Sequence, residues 1–139
     1  MPTYNQVGQI IEAQFTANWS FTPVAHENLP AKNLNDVNRP VLAQGILPFI
    51  SVKIFHNTSA AAEIGASAIR RTWGNLAVDF HSKEDTGSST NQTNIDNLTN
   101  IFEYKTISDI VFRDITILRP VTAEGWYITP TMLRFYFNR

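Results

Sequence analysis

The last strand the sequence offers constrains this chain more than anything before it. From Gly125 the residues run Gly-Trp-Tyr-Ile-Thr-Pro-Thr-Met-Leu-Arg-Phe-Tyr-Phe-Asn-Arg. Beyond Pro130, strand alternation puts Leu133, Phe135 and Phe137 on one face and Met132 and Tyr136 on the other. A strand apolar on both faces belongs in the middle of a sheet that is covered on both sides. The final strand is therefore expected to insert between strands made earlier, so that sheet order departs from chain order.

At 139 residues the chain is read as one domain over 1–139, long enough to bury a sizeable core. Its net charge of -1 and lack of any basic run leave out the electrostatic footprint of a nucleic-acid binder. With no cysteine, disulfides, thiolate catalysis and sulfur-ligated zinc are excluded. Apolar runs are interrupted within a few residues, so no membrane-crossing segment is expected. Met1-Pro2-Thr3-Tyr4 lacks the basic start and apolar stretch of a signal peptide, which implies cytoplasmic synthesis without export. On that expectation the Asn-x-Ser/Thr triplets at Asn18, Asn57, Asn91 and Asn97 are coincidental.

Thr3 with Gln6 has the form of a capping box, and Tyr4, Val7, Ile11 and Phe15 follow at helical spacing. The spacing predicts a helix at about 3–17, with Pro23 barring continuation. A short strand follows at Val24–Asn28, closed by Leu29-Pro30, and then an Asn-rich loop over 31–39. Phe49 to His56 reads as a strand. Residues 57–68 are small and weakly apolar, and predict either a helical turn or the tip of a protruding hairpin around 57–72. The next strand, about 70–82, points Leu76, Val78 and Phe80 inward and Asn75, Ala77, Asp79 and His81 outward. Ile95, Leu98, Ile101 and Phe102 mark a helix over roughly 90–104. Strands at about 109–118 and 126–137 complete an α+β domain, a mostly antiparallel sheet with two helices on one face.

Chemistry-bearing patterns are sparse. Asp79 and His81, two apart on a strand, could form half of a metal site, but no third ligand stands at a local spacing. There is no Gly-x-Ser-x-Gly elbow, and Ser67 or Ser82 near a distant His makes no triad. Glu84-Asp85 sit in a polar loop before a helix, where solvation and the helix dipole account for them. Asn33-x-Asn35 echoes a calcium loop but has Asn38 and Gln44 where Gly and Glu are needed. No catalytic residue, metal ligand or cofactor is assigned. Arg70-Arg71 stands out because two adjacent cations cannot both enter a core. Trp73 shares a face with Arg71, and an exposed Arg-plus-aromatic face is typical of interface anchors. With the outward-facing Asp79 and His81, these residues form the candidate interface set.

Taken in order, the landmarks are the N-terminal amphipathic helix, His26-Glu27-Asn28-Leu29-Pro30 and Pro48-Phe49-Ile50-Ser51-Val52. Ile64-Gly65 with Arg70-Arg71 follows, then Gly74-Asn75-Leu76-Ala77-Val78-Asp79-Phe80, a Gly-containing loop before the second helix, and Gly125-Trp126-Tyr127. Over nearly its full length the chain resembles the tail terminator (tail completion) proteins of long-tailed bacteriophages. It departs from that pattern in the Asn-rich 31–39 loop and in Ser88 to Asn94.

The resemblance implies a structural virion subunit, located at the head-proximal end of the tail and assembled in the host cytoplasm. It implies a homo-oligomeric, hexameric ring that caps the tail tube protein, stops its polymerisation and presents a surface to the head connector. DNA would pass through the lumen without sequence-specific recognition. It also gives Gly74 the role of a close packing point and Gly125 that of a turn. Two other readings stay open. One is a head–tail joining or neck ring protein; the other is a small-ligand or metal-dependent enzyme domain whose pocket gathers His26, His56 and His81.

Overall fold

Thr3 opens the first helix with a reciprocal pair of bonds. Its Oγ1 accepts from the Gln6 amide at 3.2 Å, and its own amide donates to Gln6 Oε1 at 2.9 Å. The computed structural model describes residues 2–22, 24–26, 48–61, 69–83, 85, 87–123 and 125–139. The helix, α1, spans Tyr4–Asn18 and buries Val7, Ile11 and Phe15. Pro23 is not what ends it. The chain turns extended at Trp19, whose ring is buried and whose Nε1–H donates to Thr22 Oγ1 at 3.0 Å.

Three strands follow: β1 (Val24–His26), β2 (Phe49–Ala61) and β3 (Arg70–Lys83). Then come α2 (Ser89–Phe102) and the strands β4 (Thr106–Ile107), β5 (Ile110–Ile117), β6 (Val121–Ala123) and β7 (Trp126–Asn138). The short β4 and β6 were not expected from the sequence. β4 is joined to β5 through Ser108 and Asp109, both at positive φ, as in a two-residue hairpin turn. Gly125, at φ +82, turns β6 into β7.

Among the described residues the strands form one sheet in the order β1-β2-β3-β7-β5-β4, with β6 also paired to β7. All pairings are antiparallel except β1 with β2. The last strand is thus central, as its composition requires. Pro130 is tolerated there because its carbonyl accepts from Leu118 on the β5–β6 side. Its missing N–H therefore falls where β7 changes partner, not in the ladder to β3. β5 carries one extra residue between Phe112 and Ile115, and Glu103 Oε2 accepts from the Ile115 amide at 2.9 Å.

Both helices lie on one face of the sheet. Ile50 and Val52 of β2, Leu76, Val78 and Phe80 of β3, and Leu133, Phe135 and Phe137 of β7 form a single core with Val7, Ile11, Phe15, Ile95, Leu98 and Phe102. Phe15 meets Phe102 at 5.0 Å between ring centroids, which ties the helices together. Gly74 lets Phe135 pack directly on the β3 backbone. A Cβ there would sit 2.5 Å from Phe135 Cζ and 2.7 Å from the Phe55 carbonyl oxygen.

Among the described residues, no element provides the expected cover on the second face. Met132 and Tyr136 are half-exposed and Arg134 is exposed. Residues 57–61 are strand rather than helical turn, and their arm pairs with 70–72 through a bulge between His56 and Ser59. The hairpin tip expected within 62–68, the loop expected at 31–39 with its Asn33-x-Asn35 pattern, and Glu27 to Pro30 lie outside the described residues. No helix among the described residues is long and apolar enough to cross a membrane.

Candidate functional site

Strand alternation decides which of the candidate residues meet. Arg71, Trp73, Asp79 and His81 occupy odd positions of β3 and share the face that carries no helix among the described residues. Arg70 does not join them. Its exposed side chain alternates to the opposite face, while its backbone pairs in the plane of the sheet with Arg139 through two 2.8 Å hydrogen bonds. The expected trio of Arg70, Arg71 and Trp73 is therefore split.

Trp73 and Arg71 gain partners from β7 instead. Trp73 stands opposite Tyr136 with ring centroids 4.8 Å apart. The Arg71 guanidinium lies over the Tyr136 ring at 4.5 Å, held by its Nε–H donating to Asn138 Oδ1 at 3.2 Å. Arg134 lies over Trp73 at 5.4 Å and reaches Asp114 at 3.8 Å. At that distance and exposure the Asp114 pair adds little, so the aromatic contact is what orders Arg134. Phe55, 45% exposed, Ala77 and Met132 continue the apolar surface, and exposed Lys53 adds a third cation. Single apolar residues on a surface need no explanation, but a half-exposed Trp–Tyr pair with guanidinium groups over its rings has the composition favoured at protein interfaces.

Phe55, Lys53, Met132, Arg134 and Tyr136 belong to the site but were not among the residues expected there. Arg134 itself was the signal, since a strand covered on both faces would not place an arginine between Met132 and Tyr136.

Asp79 and His81 lie farther along the same face, His81 about 27 Å from Trp73 at ~3.4 Å per residue. His81 is stacked on Phe49 at 4.2 Å, with Trp126 against Phe49 at 5.0 Å. Its Nδ1–H donates to the Asp79 backbone carbonyl at 3.1 Å, which selects the Nδ1–H tautomer of the neutral ring. Burial pushes the imidazole pKa down, against the opposing pull of the Asp79 carbonyl and charge. His56 is likewise lowered by burial, but it stands on the helix side against Tyr4. The two histidines do not converge, and the side chain of His26 lies outside the described residues.

Ser82 points away from its neighbour His81 and is buried, so the two cannot act as nucleophile and base. Among the described residues no group of three His, Asp or Glu side chains is placed to hold a metal ion. Asn91, part of one Asn-x-Ser/Thr triplet, is fully buried. Its Nδ2 donates to the carbonyls of Phe80 and Tyr127 and to Thr129 Oγ1 at 3.0–3.3 Å, which pins the start of α2 to the sheet.

No protein-family model matches the chain, and no curated protein does. Among solved structures it is similar to a protein whose designation states no function, with a TM-score of 0.58, 17% identity and 94% of each chain covered. At that identity the likeness shows the fold alone, and it supports the α+β assignment.

Proposed function

We propose that this chain is a structural assembly subunit that caps the growing end of a phage tail tube as a ring and presents a surface to the head connector. The observation that carries the reading is the sheet face opposite α1 and α2, where Trp73, Tyr136 and Phe55 are interleaved with Arg71, Arg134 and Lys53. Such a face suits contact with protein, and the chemistry of capping asks for nothing catalytic. A growing tube presents an unsatisfied ring face. The cap must complement that face on one side and reject further tube subunits on the other. Two residues that the resemblance singles out also have the roles it implies, Gly74 as a close packing point and Gly125 as a positive-φ turn.

The test is reconstitution. Purified protein added to polymerising tail tube subunits should arrest growth, at substoichiometric amounts relative to tube subunits, and bind at one tube end. Tubes that elongate equally with and without it would refute capping. Tubes that elongate freely while heads fail to join tails in its absence would favour the neighbouring head–tail joining role.

A further inference from the structure

The aromatic face has a chemical counterpart elsewhere on the same molecule. Between α1 and the β4–β5 turn lies an open groove of about 430 Å³, lined by Pro2, Gln6, Gln9, Ile10, Ala13 and Asp109. It offers an apolar floor, amide groups and one carboxylate. α1, which forms one wall, carries the exposed Glu12 and neither Lys nor Arg. A cation near its start, Arg139, is engaged over the Tyr4 ring at 4.6 Å. The sheet face offers the converse, large aromatic rings with guanidinium groups fixed over them.

We propose that the Trp73–Tyr136 face of one copy docks on the α1/β4–β5 groove of a second copy, with Arg134 and Arg71 of the first meeting Asp109 of the second. Charge and apolar complementarity between the two surfaces favour this occupant. Single-stranded nucleic acid is disfavoured by the same geometry. Bases bind such sheets by stacking on open rings, whereas guanidinium groups already lie over Tyr136 and Trp73 here. Because patch and groove are different surfaces, the contact is heterologous, and each copy both gives and receives until a ring closes. As a ring contact the docking rests on the capping reading; as a contact between copies it stands without it.

Sedimentation velocity and native mass spectrometry of the full chain at micromolar concentration test the contact. Wild type should form an oligomer. Trp73→Ala, Arg134→Glu and Asp109→Arg should each weaken assembly by about 10- to 100-fold, the range seen when interface anchors are truncated. Circular dichroism and thermal melting identify variants that still fold. Mixing Arg134→Glu with Asp109→Arg, or combining them in one chain, should restore association, an outcome that loss of folding cannot mimic. The inference is overturned by a monomeric wild type, by folded variants that keep the wild-type assembly, or by failure of the charge-swapped pair to recover. Binding of a single-stranded oligonucleotide that Arg134→Glu abolishes, with the assembly unchanged, also overturns it. The two proposals fail separately. Overlong tails without the protein alongside an oligomer insensitive to these variants would leave capping standing and remove the docking. Normal tails alongside an oligomer abolished by the variants and restored by the charge swap would do the reverse.

Discussion

Replacing Gly74 with alanine tests the packing that holds the aromatic face in place. The added Cβ would lie 2.5 Å from Phe135 Cζ, 2.9 Å from Phe135 Cε2 and 2.7 Å from the Phe55 carbonyl oxygen. Phe135 is fully buried among the core rings, and the third atom is backbone of the neighbouring strand, so neither can step aside freely. Overpacking of this kind costs about 1–3 kcal/mol, with the backbone contact placing Gly74→Ala at the upper end. Removing a strand glycine returns about 0.5–1 kcal/mol. The net expectation is a loss of about 2 kcal/mol. For a chain of this length that corresponds to a melting temperature lower by about 6–8 °C. Calorimetry or urea unfolding measures it. In a Phe135→Leu background the ring contact is gone, so the alanine should cost about 1 kcal/mol less, a coupling that a double-mutant cycle resolves. An alanine variant as stable as wild type, or a penalty unchanged by Phe135→Leu, would refute the proposed close approach.

Three further outcomes follow from individual contacts. Thr3→Ala removes the capping box of α1 and should lower unfolding free energy by about 1 kcal/mol, measured by urea titration. Asn91→Asp would set a buried carboxylate against two backbone carbonyls, destabilising the fold by about 3 kcal/mol or more near neutral pH and by less in acid, where the carboxyl is protonated. His81 binds its proton less readily in the folded state than in the unfolded one, so its contribution is full above the unfolded value of about 6.5. That contribution declines as pH falls through 6.5 toward the lowered folded value, by less than about 1.4 kcal/mol per pH unit for one proton. His81→Gln should flatten this part of the stability profile measured by urea unfolding between pH 7.5 and 5.

Much of the fold was legible because periodicity and punctuation agreed. The Thr3–Gln6 pair marked α1 to within a residue, and the alternation from Leu76 to Phe80 assigned both faces of β3. The apolar faces of the last strand placed it centrally before any partner was known. What the sequence concealed was whether each face is covered. Met132 and Tyr136 have the same side-chain chemistry whether buried under a helix or half-exposed beside Arg134. Arg70 and Arg71 were grouped by adjacency, but adjacent strand residues point apart. Trp73 therefore pairs with Tyr136, across the sheet and 63 positions along the chain, a partner that only register reveals. β4 and β6 escaped notice because two- and three-residue strands have no periodicity to detect.

The proposal that matters most is that this chain terminates tube growth. If the proposal holds, the most direct measurement is the distribution of tail lengths, by electron microscopy, in lysates of a phage that carries this chain and from which it has been deleted. The account predicts overlong, heterogeneous tubes with heads unattached. Normal, infectious particles would contradict it.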